Sequence, residues 1–400
     1  MKKTVCELFA GVGGFRLGLE RASKEFNTVW FSQWEPGKTK QWAHDCYVKH
    51  WGDIDELTGI DIAEVNKENI PDHNLLVGGF PCQDYSVARP LPGSAGLKGK
   101  KGVLWWQIRD TLEAKAPAFV LLENVDRLLK SPASQRGRDF AVILACFAAL
   151  GYSVEWRVIN AAEYGAAQRR RRIFIYAYRN DTRYARRIEN REAEHIIGAL
   201  GFFARCFSIE QGFQVQETEI DFNDIPGVSE SFKFEFQNAG YMTSGKVYTA
   251  KVDAICEEPT IMRDILEHNV DEKYYLGDKL EKWEYLKGSK KIERTAKNGH
   301  KYVFSEGAIA FPDSIDLPAR TMLTSESSLN RSTHIIRDPE TDKLRLITPL
   351  EAERIQGFGD NWTDTGMPHK FRYFCMGNAL VVPMVTRMGR LLSTIMEGED

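Results

Sequence analysis

The first 178 residues alternate between short apolar runs and segments in which apolar residues recur with helical spacing. The apolar runs have the length of strands and lie at residues 3–9, 28–32, 75–77, 119–122, 153–159 and 173–178. Segments with helical spacing lie between them, at residues 15–24, 103–114 and 139–150. Strands that alternate with helices predict an α/β fold with a parallel-type sheet covered on both faces. In such sheets ligands bind outside the carboxyl ends of the strands.

The pattern changes near residue 190 and returns near residue 344. Residues 208–333 are rich in aromatic residues, glycines and short strand-like pieces, which predicts a separate, mostly β and irregular domain. Farther on, Thr348 is predicted to cap a helix with Glu351 in the capping-box position. We therefore predict a first domain at residues 1–188, a second at 189–340, and a C-terminal segment at 341–400 that returns to the first.

Composition excludes several classes of protein. The chain has 400 residues with 43% hydrophobic and 27% charged residues, as expected of a globular protein and not of a disordered or collagen-like chain. No window approaches the roughly 18 apolar residues of a membrane span, so no membrane partner is expected. Glu7 and the following glycines interrupt any signal peptide. Seven scattered cysteines without a CxxC pair predict no structural metal and a reducing cytoplasmic location.

Charge is distributed unevenly, although the net charge is only −3. Residues 168–187 contain eight arginines against one aspartate, and residues 279–301 form a second basic zone. The stretch from 189 to 235 is acidic. Two basic zones predict a polyanionic partner bound on one face, with the acidic residues 210–235 facing away from it. Solvated surface charge is the commoner explanation of any single run.

The first predicted strand runs into a cluster of glycines that lets the backbone turn tightly and approach a ligand. The cluster comprises Gly11, Gly13 and Gly14. Its spacing departs from GxGxxG, which disfavours a dinucleotide and allows a smaller ligand that contains adenosine. Glu35, at the end of the second strand, is placed to hold ribose hydroxyls. Asp53, followed by Ile54, is a candidate for the adenine edge, and a surface loop acid explains it equally well.

Residues 78–83 read Gly-Gly-Phe-Pro-Cys-Gln and form the sharpest local feature. Most free cysteines are small buried hydrophobes. Cys82, however, follows a strand end on a constrained turn, where it is poorly placed as core filler, so we interpret it as a reactive thiol. The glycine- and proline-rich residues 86–101 suit a mobile loop that closes over substrate.

Two further sets of polar residues flank predicted strands, one at the end of the strand 119–122 and one before the strand 173–178. Glu123 ends the most hydrophobic strand, where desolvation would favour the protonated acid as a proton donor; a helix-capping acid is equally common. Arg170 and Arg172 are predicted to share one face beside the nucleophile and to clamp phosphate or a base carbonyl. A solvated edge strand is the alternative.

Together these segments resemble the DNA cytosine-5 methyltransferases. The matching segments, in the family's order, are FAGVGG, GGFPCQ, ENV, QRRRR, LITPLEAERIQGF and GNALVVP. The resemblance covers Thr4 to about Tyr178 and again about Arg320 to Pro383. It implies a Rossmann-like fold that uses S-adenosyl-L-methionine, releases S-adenosyl-L-homocysteine, and carries a mostly β or irregular target-recognition domain.

The resemblance also implies a mechanism. The Cys82 thiolate adds to C6 of a flipped-out cytosine, Glu123 contacts N3 and the exocyclic amine, and Arg172, supported by Arg170, holds the base carbonyl and a nearby phosphate. Covalent addition is chemically reasonable because it divides one difficult step into easier ones.

The resemblance implies cofactor contacts as well. Phe9 would stack on adenine, with Trp34 as the alternative, and Glu35 would bind ribose. Asp53 would bind the adenine amine, and Leu104 would supply a hydrophobic contact. The remaining cofactor contacts are expected at Gly11, Gly13, Gly14, Ile54, Pro81, Asn378 and Ala379.

Residues 190–314 correspond to the family's variable recognition domain. The expected partner is double-stranded DNA, and the expected contacts are Gln83, Ser86, Lys290, Lys291, Arg294, Lys297, Asn298 and His300. An exposed basic loop is the alternative explanation of residues 287–301. We expect a monomeric bacterial or phage enzyme associated with the nucleoid, paired with a separately acting restriction endonuclease.

Two other functions remain open. An RNA (transfer RNA) cytosine-5 methyltransferase would have the same fold, but the long insert favours duplex DNA, and the Cys-Phe-Thr signature of the RNA-directed relative is absent. A catalytically inactive DNA-binding homologue would be expected to lose residues, whereas Cys82, Glu123 and Arg172 are intact.

Overall fold

The computed structural model describes residues 1–80, 104–296 and 299–399. Within these ranges nine strands form one sheet, and four further strands form two separate ribbons. The strands of the sheet are β1 (Thr4–Leu8), β2 (Asn27–Ser32), β3 (Leu75–Gly79), β4 (Phe119–Val125), β5 (Tyr152–Asn160), β6 (Arg171–Arg179), β7 (Val215–Glu219), β8 (Ala239–Thr243) and β9 (Lys246–Ala250). The ribbons pair β10 (Lys290–Thr295) with β11 (Lys301–Glu306), and β12 (Ile335–Arg337) with β13 (Leu344–Leu346).

Helices cover both faces of the sheet. They are α1 (Gly14–Ala22), α2 (Trp42–Trp51), α3 (Leu104–Lys115), α4 (Arg138–Ala149), α5 (Arg183–Ile188), α6 (Ala193–His195), α7 (Phe202–Cys206), α8 (Ile225–Ser231), α9 (Leu280–Lys287), α10 (Pro349–Gln356), α11 (His369–Asn378) and α12 (Val382–Glu397). One core cluster joins residues of α1, α7, α10 and α12, and a second joins residues of α3 and α4. The α/β class and the covering of both faces are therefore as predicted.

The sheet is mixed, which corrects the prediction of a parallel-type sheet. The strand order is β2-β1-β3-β4-β6-β5-β8-β9-β7. β1 to β4 pair in parallel, but β6 is antiparallel to both β4 and β5. The physical reason is the connection between β5 and β6, which is too short to hold the crossover that a parallel pair requires.

The sheet also continues past residue 188, where the sequence analysis placed a domain boundary. β8 pairs with β5, and β9 and β7 follow it outward. Trp156 of β5 packs so closely on Gly240 of β8 that a Cβ there would lie 2.1 Å from the indole. This pairing covers an edge of β5 that would otherwise present unpaired backbone groups.

The C-terminal segment returns to the first helix. α12 is apolar and largely buried, and it packs along α1. At Gly18 of α1, an added Cβ would lie 2.7 Å from Val385 Cβ. Before α12, the capping box predicted at the start of α10 is present, with Thr348 and Glu351 exchanging hydrogen bonds. Glu351 also forms a buried ion pair with Arg345, Nη2 to Oε1, of 2.8 Å.

Over the described ranges, no single helix combines the length and the apolar character of a membrane span; the pair His369–Asn378 and Val382–Glu397 meets both criteria only jointly, across a bend of 45°.

The close approach of α1 and α12 predicts that Gly18→Ala destabilises the fold. The added methyl group overlaps Val385, and overpacking of this kind costs about 1–3 kcal/mol. The measurement is the free energy of unfolding by denaturant titration. Gly359→Ala is the matched control, because no heavy atom of the described residues lies within 4 Å of the added Cβ. Equal stability of both variants would contradict the packing argument.

Candidate active site

The glycine cluster forms a loop between β1 and α1. Phe9, Gly11 and Gly13 all have positive φ, at 56°, 57° and 85°. The Gly11 amide donates to Gln33 Oε1 over 2.7 Å. A Cβ at Gly13 would lie 2.2 Å from the Trp51 ring, whereas among the described residues nothing lies within 4 Å of a Cβ at Gly11. The loop is therefore packed on its inner side and open beside Gly11.

The C-terminal segment closes one side of this loop. Trp362 Nε1 donates to the Val12 carbonyl over 2.9 Å. Leu380 packs on the first glycine of α1, where an added Cβ would lie 3.1 Å from its Cγ. Asn378, which is exposed, and Ala379, which is half-buried, immediately precede Leu380. Both residues therefore adjoin in sequence the residue that packs on the loop, and their predicted contacts with the cofactor stay predictions.

A buried carboxyl group lies beneath the loop, and the sequence analysis did not identify it. Glu7, in β1, is 1% exposed and accepts a hydrogen bond from Tyr47 over 3.0 Å. Burial raises its pKa to about 7, against the opposing effects of Tyr47 and of the first backbone amides of α1. The sequence signal that could have identified Glu7 is a charged residue inside a mostly apolar strand.

At the end of β2 the backbone of Glu35 is held by Gln41. The Glu35 amide donates to Gln41 Oε1 over 2.7 Å, and Gln41 Nε2 donates back to the Glu35 carbonyl over 3.1 Å. Burial raises the pKa of the Glu35 carboxyl. Its Oε2 is buried without a hydrogen-bond partner among the described residues. The neighbouring Trp34 is 37% exposed, so both predicted residues stand at the same strand end.

The other predicted adenine contacts have ordinary local roles in the chain. Asp53 Oδ1 accepts hydrogen bonds from the Ile54 amide and the Thr58 hydroxyl, each over 2.9 Å. Asp53 and Ile54 are both exposed. Leu104 begins α3 and is half-buried against the second core cluster. These positions stay predictions.

An ion pair occupies the adjoining strand ends. Arg172 Nε lies 2.8 Å from Glu123 Oε1, and the two side chains are only 17% and 12% exposed. Glu123 is paired in register with Gly79 at the end of β3. The next residue, Phe80, donates its amide to the Glu123 carbonyl over 3.3 Å and accepts from Asn124 over 2.8 Å. The ends of β3 and β4 are thus joined where the chain continues to Pro81.

Arg170 has a different position from the one predicted. Its side chain is 2% exposed, and its guanidinium donates to the carbonyls of Met322 over 3.0 Å and Gly377 over 2.9 Å. Burial lowers its pKa to about 9, helped by the charge of Arg172. Arg170 precedes the first residue of β6, so strand alternation does not apply to it. It joins chain segments, and Arg172 alone of the two reaches Glu123.

The arginine-rich run does not form one surface. Residues 169–172 lie at the start of β6, whereas Arg183, Arg186 and Arg187 follow its other end. A strand of nine residues spans about 30 Å. The strand therefore separates the two halves of the arginine run, and the prediction that the basic zones bind a polyanion on one face stays a prediction.

The second basic zone contains the exposed hairpin of β10 and β11. Lys290 is half-buried, and Lys291, Arg294 and His300 are exposed. Their predicted contacts with DNA stay predictions. Several other predicted residues lie outside the described ranges, namely Pro81, Cys82, Gln83, Ser86, Lys297 and Asn298.

The buried Glu7 predicts a specific pH dependence of stability. A carboxyl whose pKa is raised by folding, here from an ordinary value of 4.5 to about 7, stabilises the fold below the ordinary value. That contribution is lost as pH rises through the folded value. Stability of the wild type should therefore fall relative to Glu7→Gln between about pH 5 and pH 8, by about 2 kcal/mol. Denaturant titrations at several pH values measure this difference, and parallel curves for the two proteins would contradict it.

Known proteins are similar in sequence to nearly the whole chain. The family of C-5 cytosine-specific DNA methylases matches residues 3–394. Type II methyltransferase M.Sau3AI of Staphylococcus aureus is 51% identical over 98% of this chain and 96% of its own length. Type II methyltransferase M.SsoII of Shigella sonnei is 27% identical over 97% of this chain and 80% of its own length.

Solved structures share the fold. The Dnmt2 methyltransferase of S. pombe is similar with a TM-score of 0.57 and 16% identity, over 99% of this chain and 98% of its own. A Spodoptera frugiperda DNMT2 variant has a TM-score of 0.61 and 13% identity, over 98% and 99%. Because the family model matches nearly the whole chain, the chain belongs to the C-5 cytosine-specific DNA methylase family and is a DNA cytosine-5 methyltransferase.

Proposed function

We propose that the enzyme methylates C5 of a cytosine flipped out of duplex DNA, through a transient bond between Cys82 Sγ and C6 of the base. The observation that carries this proposal is the Glu123–Arg172 ion pair, 2.8 Å long, at the joined ends of β3 and β4. Cys82 follows Phe80 by two residues in the chain. A carboxyl and a guanidinium thus meet at the strand edge from which the chain continues toward Cys82, and a nucleophile requires supporting groups of this kind.

The proposed reaction consists of addition of the thiolate, methylation of C5 and elimination of the thiolate. The thiolate of Cys82 adds to C6 and breaks the C5–C6 double bond, so that electron density moves onto C5. Glu123 contacts N3 and the exocyclic amine, which stabilises the altered ring. C5 would then form a bond to the methyl group as the bond between that methyl and the sulfonium sulfur of the donor breaks, with the electron pair staying on sulfur. A base would remove the C5 proton, and the electron pair of that C–H bond would re-form the double bond while expelling the thiolate. The enzyme is regenerated.

The ion pair supports this role for Glu123. A carboxylate at a buried strand end needs a partner, and Arg172 supplies one that also orients it. The same guanidinium is anchored by its Nη1, which donates to the Arg171 carbonyl over 2.7 Å. A base that enters beside Glu123 therefore meets a carboxyl whose direction is already set. Removal of the base from the stack costs a few kcal/mol, which contacts of this kind must offset.

The glycine loop and the end of β2 fit S-adenosyl-L-methionine. The open space beside Gly11 admits a close ligand. The buried, unpartnered Oε2 of Glu35, judged over the described residues, is an acceptor suited to ribose hydroxyls. The bound group would supply an electrophilic methyl and leave as S-adenosyl-L-homocysteine. Phe9 or Trp34 would stack on its adenine, and Asn378 would lie near its methionine end.

Membership of the DNA methylases favours duplex DNA over RNA as the substrate. The names of the relatives, which are Type II methyltransferases, support a role in restriction and modification. We therefore infer that the enzyme protects host DNA at a specific sequence, acts as a monomer, and is matched by a separately acting endonuclease.

The covalent mechanism predicts a stable adduct with 5-fluorocytosine in duplex DNA. Fluorine at C5 cannot leave as the proton does, so the thiolate stays bonded to C6. The target sequence is first found by bisulfite sequencing of DNA from cells that express the enzyme. Denaturing electrophoresis should then show a protein–DNA adduct that requires S-adenosyl-L-methionine.

Two variants make this experiment specific. Cys82→Ser should abolish the adduct and reduce methyl transfer by at least about a thousandfold. Cys256→Ser, at an exposed cysteine remote from the proposed chemistry in sequence, should retain both. Methyl transfer that survives Cys82→Ser would overturn the covalent mechanism.

The cofactor site predicts a separate effect of Glu35→Gln. Loss of a charged acceptor should weaken binding of S-adenosyl-L-homocysteine about 10- to 100-fold in calorimetry, because such hydrogen bonds contribute roughly 1.5–3 kcal/mol. Glu56→Gln, at an exposed acid on the neighbouring loop, is the control and should bind normally. Normal binding by Glu35→Gln would remove the ribose contact, and a loss in Trp34→Ala would then assign the site to stacking alone.

A further inference from the structure

The hairpin of β10 and β11 is a two-stranded ribbon with two unlike faces. Its register pairs Lys291 with Ser305, Glu293 with Val303, and Thr295 with Lys301. Alternation along each strand puts these six side chains on one face, which we call the open face. All six residues are exposed. The opposite, covered face consists of Lys290, Ile292, Arg294, Tyr302, Phe304 and Glu306.

Charged residues of the covered face are occupied within the protein. Lys290 lies over the Tyr285 ring at 4.5 Å, and its Nζ is 3.8 Å from Glu306 Oε2. Arg294 lies over the Phe304 ring at 3.9 Å. Ile292 and Phe304 are half-buried. The half-buried residues of this face therefore lie near the base of the ribbon, whereas Arg294 and Tyr302, nearer its tip, are exposed.

The open face has no such contacts. Across the described ranges, the side chains of Lys291, Glu293 and Lys301 take part in no hydrogen bond or ion pair. Val303, at the centre of the face, is 59% exposed. The open face is therefore not engaged by other described residues and is available to a partner.

Hydrogen bonds from Arg331 and Lys287 hold the base of the ribbon. Arg331 Nη1 donates to the carbonyls of Leu286 and Gly288, over 3.2 Å and 3.1 Å, where α9 leads into β10. Lys287, the last residue of α9 and 1% exposed, donates to the Thr333 carbonyl and lies 3.9 Å from Asp313.

The same cluster leads to the catalytic strands. Arg320 is paired with Asp313, Nε to Oδ1, at 2.5 Å. Two residues farther on, the Met322 carbonyl accepts from Arg170, which precedes β6 and its Arg172. The segment that supports the ribbon is therefore hydrogen-bonded, through the Met322 carbonyl, to the arginine that precedes β6.

We propose that the open face of the ribbon enters the major groove of the substrate duplex and reads base edges through Glu293 and Val303. The proposal deepens the proposed function and rests on the action of the enzyme on duplex DNA. A major groove about 12 Å wide admits a two-stranded ribbon. Strands of six residues extend about 20 Å, the length of about six base pairs.

The order of side chains across the face separates base contacts from phosphate contacts. A carboxylate is repelled by phosphates but accepts a hydrogen bond from the amino group of a base, with cytosine N4 the usual partner. An exposed valine is suited to the methyl group of thymine. Glu293 and Val303 form the central pair, and Lys291 and Lys301 lie one pair away on either side, where they meet phosphates or guanine. The centre of the ribbon therefore reads sequence, and its ends supply charge.

The test compares the sequence preference of two conservative variants with that of the wild type. Glu293→Gln and Val303→Thr keep the shape of the side chain and change its chemistry. Each enzyme methylates a duplex library randomised around the target cytosine, and bisulfite sequencing gives the relative rate at each base pair. Each variant should relax the preference at one base-pair position by about 5- to 100-fold. The base preference at the other positions should be unchanged.

Tyr302→Phe is the matched control, because Tyr302 adjoins Val303 in β11 but points to the covered face. It should leave the preference unchanged. Lys291→Gln and Lys301→Gln should instead weaken binding to all sequences alike and each lower the salt dependence of binding by about one ion. Melting curves equal to that of the wild type exclude an effect on folding, since all of these positions are exposed.

Three results would overturn the assignment. One is an unchanged preference in both Glu293→Gln and Val303→Thr. Another is a uniform loss of binding in these two variants with the preference intact, which would mean phosphate contact only. The third is a wild-type dimer that Val303→Thr dissociates, which would assign the open face to a second copy of the chain. A wild type that methylates no duplex at all would refute the proposed function instead, so the two failures are distinguishable.

Discussion

The buried guanidinium of Arg170 holds together parts of the chain that are far apart in sequence. It binds the carbonyls of Met322 and Gly377, which are 152 and 207 residues away. A buried charge is costly unless it is hydrogen-bonded, and burial here lowers the pKa of Arg170 to about 9. The two carbonyl bonds therefore offset part of this cost, while Nε has no hydrogen-bond partner among the described residues. Arg170 thus joins the central sheet to the segment that supports the ribbon and to the C-terminal helices.

That meeting point adjoins the edge at which the parallel strands end, and three carboxyl groups there have three different environments. Glu7 is buried under the glycine loop and packs against Tyr47, so it serves the loop. Glu35 keeps one buried oxygen without a partner among the described residues, which leaves an acceptor for a ligand. Glu123 is neutralised and oriented by Arg172. The groups within hydrogen-bonding distance thus determine whether a carboxyl supports the loop, is available to a ligand or faces the substrate.

Much of the fold could be predicted from the sequence, because strands and helices that bury one face have apolar residues at characteristic spacings. The predicted strand at 119–122 lies within β4, and the predicted cap at Thr348 is present. The direction of β6 was wrong because an apolar run carries no information about which way a strand points. Helix α2 was not predicted, because its apolar and polar residues are mixed and it gains its stability from packing.

The candidate site, like the fold, could be predicted from the sequence only in part. The sequence alone determined which chemical groups are available, because glycine clusters, a thiol after a strand and a polar strand end are local patterns. It also determined the family, through the order of those patterns. Only the tertiary structure decided which of two neighbouring arginines reaches Glu123 and which is buried as a link. The physical reason is that burial and hydrogen bonding of Arg170 depend on carbonyls contributed by remote segments, and no local pattern records which segments will surround a side chain.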